Sequence, residues 1–342
     1  MTQVGWDADL VYEISPDPLP SPSGAEVLVQ VDACGVCHRD LIDRAGRWPF
    51  LRVPITPGHE AAGRVVALGP SARGFRLGDR VGTMHRDACG ECASCKKGET
   101  SICEGAAWVF GIMADGGYAG HVLAPESALY CFPVSMPGAE AAVMHCTFGT
   151  AYRDLVTLGK VVAGERVLVT GANGGVGLAA VQIAARLGAE VVAVVRSAEH
   201  GALLSQLGAR SVIVDAGTTF HENGAASGID LVLEAVGQPT FASSLRTLRL
   251  GGRMVVVGNI VPERVALNLG VLITRGLSLI GGSGATRRDM AELLALHENK
   301  PFTVAIDRVL PLSRADAAQR MVRAGGLKGR IVLVPSESSS VS

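Results

Sequence analysis

The chain has 342 residues, which is enough for about two domains. Hydrophobic residues make up 48% and charged residues 18%, which excludes a mainly disordered chain. With 31 basic against 32 acidic residues, net −1, it lacks the basic footprint that nucleic-acid and membrane-surface proteins need.

Residues 1–15 have neither a basic start nor an apolar centre, so they do not read as a signal peptide. No apolar run in the sequence is long enough to span a bilayer, and a cytoplasmic location is expected. The first 30 residues predict short strands broken by the turn Ser15-Pro16-Asp17-Pro18-Leu19-Pro20, with a strand over Glu26–Val31. Residues 61–82 predict further strands and turns, punctuated by Gly63, Gly69, Gly74, Gly78 and Gly82. Residues 84–104 carry four cysteines and little that could form a core, which predicts an irregular lobe.

The texture changes near residue 165. Arg166–Thr170 is a short apolar strand, followed by a glycine-rich turn over 171–177. Val176, Ala180, Ile183 and Leu187 then fall on one face of a helix, with Gly188 where a C-terminal cap belongs. Strands follow over Glu190–Val195, Ser211–Asp215, Asp230–Glu234, Arg253–Val257 and Leu277–Ile280, several separated by helical stretches. Such alternation predicts an α/β fold, a doubly wound parallel sheet with helices on both faces. Residues 149–304 are read as this dinucleotide-binding domain. Residues 1–148, completed by 305–342, are read as a catalytic domain, and the Ser-rich tail Ser336–Ser342 as frayed.

The turn Gly171-Ala172-Asn173-Gly174-Gly175-Val176-Gly177 lies between a strand and a helix. A pyrophosphate must approach the backbone closely there, and the helix N-terminus supplies N–H groups and a positive dipole end. Ala172 replaces the first glycine of the usual fingerprint, while Gly174 and Gly177 remain. At the tip of the second strand an NAD enzyme usually places an acidic residue for the ribose hydroxyls. Here Val195 holds that place, followed by Arg196 and Ser197. Arginine can pair with a 2′-phosphate, so NADP(H) is expected over NAD(H). Gly258, Asn259 and Arg330 complete the candidate cofactor set, with Thr150.

Eight cysteines stand at 34, 37, 89, 92, 95, 103, 131 and 146. Cys89, Cys92, Cys95 and Cys103 form a C-x2-C-x2-C-x7-C cluster, which predicts a closed structural zinc site. A second set is dispersed: Cys37, the pair His59-Glu60, and Cys146. Two thiolates and one imidazole would leave a fourth position for water or substrate, as catalytic zinc requires. Spacing alone does not assemble this set, because Cys34, Cys131, His38 and His145 compete for it.

The segments Gly35-Val36-Cys37-His38-Arg39-Asp40 and Gly58-His59-Glu60-Ala61-Ala62-Gly63, the four-cysteine lobe, Cys146 with Thr150, and Ala172–Gly177 occur in one order over nearly the whole chain. In these the sequence resembles the zinc-containing medium-chain dehydrogenase/reductases, the alcohol dehydrogenase superfamily. The resemblance implies a mostly-β GroES-like catalytic domain beside the Rossmann domain, and two zinc ions per subunit. It implies Cys37, His59 and Cys146 as ligands of the catalytic zinc, with Glu60 able to exchange into the coordination sphere. Asp40 would orient His59 through its second ring nitrogen. A homodimer or homotetramer is implied, with the strand near Leu277–Ile280 as a candidate pairing edge.

One position departs from the alcohol dehydrogenase pattern. That family usually carries Ser or Thr two residues after the first Cys ligand, to relay the alcohol proton, and often a His three residues later. Arg39 and Ile42 occupy those places. Arginine stays protonated and is a poor relay. His38 or a bound water would then move the proton. The pattern Cys37-His38-Arg39-Asp40-Leu41, with Gly258-Asn259 and Ala285-Thr286-Arg287-Arg288-Asp289, is similar to zinc-containing acryloyl-CoA reductases. The leading expectation is hydride transfer between NADP(H) and a carbonyl carbon. The alternative is conjugate reduction of an enoyl thioester or enone. A third reading takes the cysteine lobe, with Arg86, Lys96 and Lys97, as a non-catalytic nucleic-acid-binding finger. Few aromatics and the absence of a recognition helix count against it. A substrate pocket is expected between the domains, near Arg39, Trp48, Phe50, Trp108 and Phe110.

Overall fold

Val167, Leu168 and Val169 are fully buried, as a strand covered on both faces must be. Their strand, Arg166–Thr170, lies inside a six-stranded sheet in a computed structural model that describes residues 1–3, 8–14, 18–46, 50–215, 219–261 and 263–335. Ser15-Pro16-Asp17, Trp48 and the tail Ser336–Ser342 lie outside the described residues. Across the sheet the strands run Ala209–Val214, Glu190–Val195, Arg166–Thr170, Ile229–Glu234, Leu248–Val256 and Ser278–Gly281, all parallel. In chain order this is 3-2-1-4-5-6, the doubly wound arrangement expected from the sequence. The order reverses between Arg166–Thr170 and Ile229–Glu234, and it is at the carboxyl ends of such a switch point that sheets of this class bind ligands.

The helix after the glycine-rich turn spans Gly175–Arg186, with Ala180 and Ile183 fully buried. Gly188, at φ 83°, takes the left-handed conformation just past its end. The fifth strand begins at Leu248 rather than Arg253, because Leu248 already pairs with Ile229 before a shift in register.

The chain separates into two units: Met1–Cys146 with Thr286–Glu298 and Ile306–Ser342, and Thr147–Ala285 with Asn299–Ala305. Residues 286–298, read from sequence as part of the dinucleotide domain, thus group with the first unit. Arg287 Nη2 explains this by donating to the carbonyls of Glu126 (2.6 Å) and Leu129 (2.9 Å). Residues 299–305 stay with the second unit. Gln182 exchanges two hydrogen bonds with the Thr303 backbone, at 2.8 and 3.1 Å, and Arg186 lies 3.6 Å above the Phe302 ring.

The first unit is built on a seven-stranded sheet. Ile306–Pro311, Arg330–Val334, Glu26–Val36, Ala61–Leu68, Arg80–Thr83 and Leu129–Cys131 run in that order, and His121–Pro125 also pairs with Glu26–Val36. Only the pair Ile306–Pro311 with Arg330–Val334 is parallel among these. Val27, Val29, Val31, Val65, Val81 and Leu129 form its apolar interior. The lobe at 84–104 is mostly irregular, with two short turns of helix at Ala93–Lys96 and Thr100–Ile102.

Candidate metal centres and dinucleotide crevice

Strand Glu26–Val36 ends directly before Cys37, which caps the helix His38–Arg44. The Cys37 Sγ accepts the Arg39 N–H at 3.5 Å, and the Asp40 carboxylate accepts the Cys37 N–H at 2.8 Å. A backbone N–H aimed at the sulfur favours thiolate. Asp40 also accepts the Tyr118 hydroxyl at 2.9 Å, and its Oδ1 lies 3.0 Å from His59 Nδ1. Nδ1 is thus engaged by Asp40, and Nε2 is the ring nitrogen that faces the cysteines. His59 Nε2 is 3.5 Å from Cys146 Sγ, which lies 3.9 Å from Cys37 Sγ. Cys146 belongs to a π-helical turn, His145–Gly149, that follows the helix Gly138–Met144.

These spacings fit a metal. Tetrahedral zinc with its usual bond lengths separates two sulfurs by about 3.8 Å, and a sulfur from a nitrogen by about 3.6 Å. Donor atoms of Cys37, His59, Glu60 and Cys146 all lie within 4.8 Å of one another. Glu60 Oε2 is buried with no hydrogen-bond partner, an acceptor a cation would satisfy. Its other oxygen, 3.8 Å from His59 Nε2, accepts from Arg330 Nη2. Arg330, grouped with the cofactor residues on the sequence, is therefore brought to Glu60 within the first unit.

The donors are electrostatically coupled. The contact between the two sulfurs holds the Cys37 thiol well below the ordinary value, while Cys146 is pushed well up by the same contact and by burial. A metal binding here would take both sulfurs as thiolates and release their protons. Burial lowers the His59 pKa, but the Asp40 carboxylate and the Cys37 sulfur outweigh it and raise it well above the usual value. Burial raises the Glu60 carboxyl, against the pull of Arg330.

Arg39 reaches the same neighbourhood. Its Nη1 contacts both ring nitrogens of His85, at 3.2 Å from Nδ1 and closer to Nε2. Its Nε lies 3.3 Å from Asp43 Oδ2, one helical turn on. The His85 and His59 rings meet edge to face, 5.2 Å between centroids. His38 opens the helix, half-buried. Of the competing residues, Cys34 is buried with its thiol directed to the Gly35 carbonyl, Cys131 is exposed, and His145 lies beside the Tyr130 ring.

The four-cysteine lobe closes on itself. Cys103 Sγ lies 3.5 Å from Cys89 Sγ and 4.0 Å from Cys92 Sγ, and Cys89 lies 4.0 Å from Cys95. Backbone N–H groups of Cys89, Cys92 and Cys95 donate to the sulfurs at 3.3 to 3.4 Å. The Cys92 thiol is held down at about 6 by backbone N–H groups, whereas Cys95 is pushed up to about 12 by removal from water. The four sulfurs lie close enough to hold one metal ion, and the lobe fits a closed tetrahedral zinc site.

In the second unit the glycine-rich turn sits at the carboxyl end of Arg166–Thr170. A Cβ on Gly177 would lie 2.3 Å from the Gly171 oxygen and 2.6 Å from the Ala172 Cα, so only glycine lets helix and turn meet. Gly174 caps the helix, Gly175 and Val176 open it, and Ala172 is fully buried. Gly258 faces Ala235 so closely that a Cβ would lie 2.0 Å from its carbonyl carbon. Asn259 is exposed beside it, Thr150 is buried, and Arg196 and Ser197 are exposed at the tip of Glu190–Val195.

Sequence reasoning missed Glu234, the hub of this crevice. Its fully buried carboxylate accepts from Thr170 Oγ1 (2.8 Å), the Val236 and Gly237 N–H groups (3.0 Å each), Thr240 Oγ1 (2.5 Å) and Ser244 Oγ. Its main-chain oxygen accepts from Val257 and Gly258. One residue thus braces the ends of three strands. His85 and Tyr118 were also missed, since a lone His or Tyr carries no spacing signal. Of the expected pocket residues, Phe50 is exposed, Trp108 half-buried, and Phe110 buried in the core beside Tyr118.

Residues 23–135 match the alcohol dehydrogenase GroES-like domain, and residues 175–299 match the zinc-binding dehydrogenase family. The chain is similar to an acryloyl-coenzyme A reductase of Sulfurisphaera tokodaii, 33% identical over 95% of this chain and 96% of that protein. It is similar to an alcohol dehydrogenase of Geobacillus stearothermophilus, 36% identical over 92% and 93% of the two chains. The crystal structure of AibC superposes with a TM-score of 0.89 and 41% identity, covering 94% of this chain and 91% of that one. Fold, donor sets and likeness agree: the chain belongs to the zinc-containing medium-chain dehydrogenase/reductases of the alcohol dehydrogenase superfamily, NAD(P)-dependent oxidoreductases.

Proposed function

We propose that the protein transfers hydride between NADP(H) and the carbonyl or alcohol carbon of a small molecule, at a centre held by Cys37, His59 and Cys146. The observation that carries this reading is the convergence of two sulfurs and one imidazole at tetrahedral spacings, 3.9 and 3.5 Å, with Glu60 paired to Arg330. Three protein donors leave a fourth position for a substrate oxygen. Zinc, when bound, polarises that oxygen as a Lewis acid, and the nicotinamide supplies the hydride. Asp40 fixes the His59 tautomer, and Arg330 restrains Glu60, which remains close enough to exchange into the coordination sphere. The Cys89, Cys92, Cys95 and Cys103 lobe would hold a second zinc with a structural role.

Gly171, Ala172, Gly174, Gly175, Val176 and Gly177 would cradle the pyrophosphate, with Thr150, Gly258 and Asn259 toward the nicotinamide end. The exposed Arg196 following Val195 supports NADP(H) over NAD(H), because no carboxylate stands there to repel a 2′-phosphate. Ser278–Gly281 is the edge of the parallel sheet, which supports pairing with a second copy as a homodimer or homotetramer. No helix of the described residues is long and apolar enough to cross a membrane, and the free thiols suit the cytoplasm.

Arg39 favours a second reading, reduction of an enoyl thioester or enone at the β-carbon. In that reaction no proton has to leave through position 39, and the likeness to an acryloyl-coenzyme A reductase supports it. For either reading, Cys37→Ser is the test of the centre. The variant should lose NADPH oxidation with an aldehyde or enone acceptor while its circular dichroism stays that of the native protein. Native turnover in Cys37→Ser would overturn the assignment.

A further inference from the structure

A carboxyl group withdrawn from water is costly unless donors surround it. Glu234, the last residue of strand Ile229–Glu234, is fully buried, and its donors come from separate parts of the chain. Thr170 stands directly before the glycine-rich turn. Its hydroxyl donates to Glu234 at 2.8 Å and accepts the Ala235 N–H at 2.9 Å. The Val236 and Gly237 N–H groups donate from the loop that follows Glu234, and Thr240 and Ser244 donate from the helix Gln238–Thr247. Oε1 takes four of these five donors, so one oxygen gathers the segments at a single point. The main-chain oxygen of Glu234 takes the Val257 and Gly258 N–H groups at 2.9 and 3.0 Å, which adds the end of strand Leu248–Val256. The loops so gathered abut the turn and each other. A Cβ on Gly171 would lie 2.9 Å from Val236 Cγ2, and one on Gly237 would lie 2.8 Å from the Gly258 oxygen. The Ile260 N–H donates to the Val236 carbonyl at 3.1 Å. Residues 235–237 and 258–260 therefore form one platform beside the glycine-rich turn, on the side of the sheet away from Glu190–Val195.

We propose that Glu234 is a positioning residue for the nicotinamide half of the bound dinucleotide: it fixes the platform on which that half rests and leaves the adenosine half unaffected. In a doubly wound sheet the two halves of a dinucleotide occupy the two sides of the switch point, with the adenosine ribose at the tip of the second strand. Here that tip is Val195, and the platform lies on the other side. Glu234 is 0% exposed, so it acts through the backbone it holds at Val236, Gly237 and Gly258 rather than by touching the cofactor. The inference rests on the reading that the crevice holds a dinucleotide. It depends neither on a 2′-phosphate nor on which carbon receives hydride.

The test compares a whole cofactor with its adenosine fragment. Zinc-loaded protein is titrated by calorimetry with NADPH and with adenosine 2′,5′-bisphosphate, or with NADH and ADP if the native chain binds NADH more tightly. The variants are Glu234→Ala, Glu234→Gln and Thr240→Val, each with a urea midpoint. Glu234→Ala removes the side-chain acceptor from all five donors. It should weaken the dinucleotide about tenfold or more and leave the fragment within about twofold of native. Glu234→Gln keeps an acceptor oxygen for the four donors at Oε1, and its amide can donate to the Ser244 hydroxyl. It should hold the dinucleotide within about threefold of native. A carboxyl group that served stability alone would move both ligands together or neither. If Glu234→Ala shows no cooperative unfolding, Thr240→Val decides: loss of one donor should weaken the dinucleotide about threefold, with the fragment unchanged. Equal losses on both ligands, or native dinucleotide affinity in the deciding variant, would overturn the proposal. A native chain that binds neither NADPH nor NADH would overturn the dinucleotide reading, and the proposal with it.

Discussion

The Arg330 guanidinium donates to the buried Glu60 carboxylate across 270 residues of sequence. Strand Arg330–Val334 makes this possible by pairing with the end of Glu26–Val36, beside which Glu60 lies. Glu60 is 1% exposed, and burial already raises its carboxyl pKa. Arg330→Met should leave that charge uncompensated and cost roughly 3 kcal/mol at neutral pH. A buried carboxyl with a raised pKa is stable when protonated, so the deficit should shrink as pH falls through that pKa. Urea unfolding at about pH 5.5 and about pH 8 checks this, with the smaller loss expected at the lower pH.

Asp43 offers a pH dependence whose window is defined. Burial pushes its carboxyl up to about 6, against the pull of Arg39. The folded pKa is higher than the unfolded value of about 3.9, so the folded state binds the proton more tightly. That stability is complete below about pH 4 and is lost as pH rises through about 6. Measured against Asp43→Asn, the native protein should lose roughly 2–3 kcal/mol between those limits. A constant difference across that range would contradict it.

Cys92 tests the lobe. Its sulfur lies 4.0 Å from Cys103, within a set of four that could hold a metal ion. Cys92→Ser should halve the zinc content, measured by atomic emission, and lower the melting temperature. Full zinc content with native melting would show that the lobe is held by packing alone.

Gly177 tests the crevice. Any side chain there meets the Gly171 oxygen and the Ala172 Cα, both backbone atoms that cannot swing aside. Gly177→Ala should spread the turn and weaken NADPH binding by roughly tenfold or more, about 1.4 kcal/mol, read by NADPH fluorescence. Unchanged affinity would place the cofactor elsewhere.

The parallel sheet was legible because its strands are buried on both faces. Arg166–Thr170 and Glu190–Val195 stand out as apolar runs between glycines, and the structure begins and ends them at the same residues. The cysteine lobe was legible for a related reason: its four sulfurs are close in sequence and need no fold to bring them together. The dispersed set is different. Cys37 and Cys146 are 109 residues apart, and only the sheet and the π-helical turn bring their sulfurs to 3.9 Å. Partners of those ligands were least visible. Tyr118, His85 and Arg330 are single residues on other strands and loops, whose roles come from contacts with Asp40, Arg39 and Glu60. The grouping of Thr286–Glu298 with the first unit was not legible, because the anchor of Arg287 is two backbone carbonyls, which no side-chain pattern announces.

Hydride transfer to a carbonyl carbon can be read from a single product. Zinc-loaded protein is incubated with crotonaldehyde and NADPH deuterated at the transferable position, and the product is analysed by mass spectrometry. Crotyl alcohol with deuterium on its oxygen-bearing carbon is the expected result. Butanal with deuterium on the β-carbon would contradict carbonyl reduction and assign the centre to conjugated double bonds.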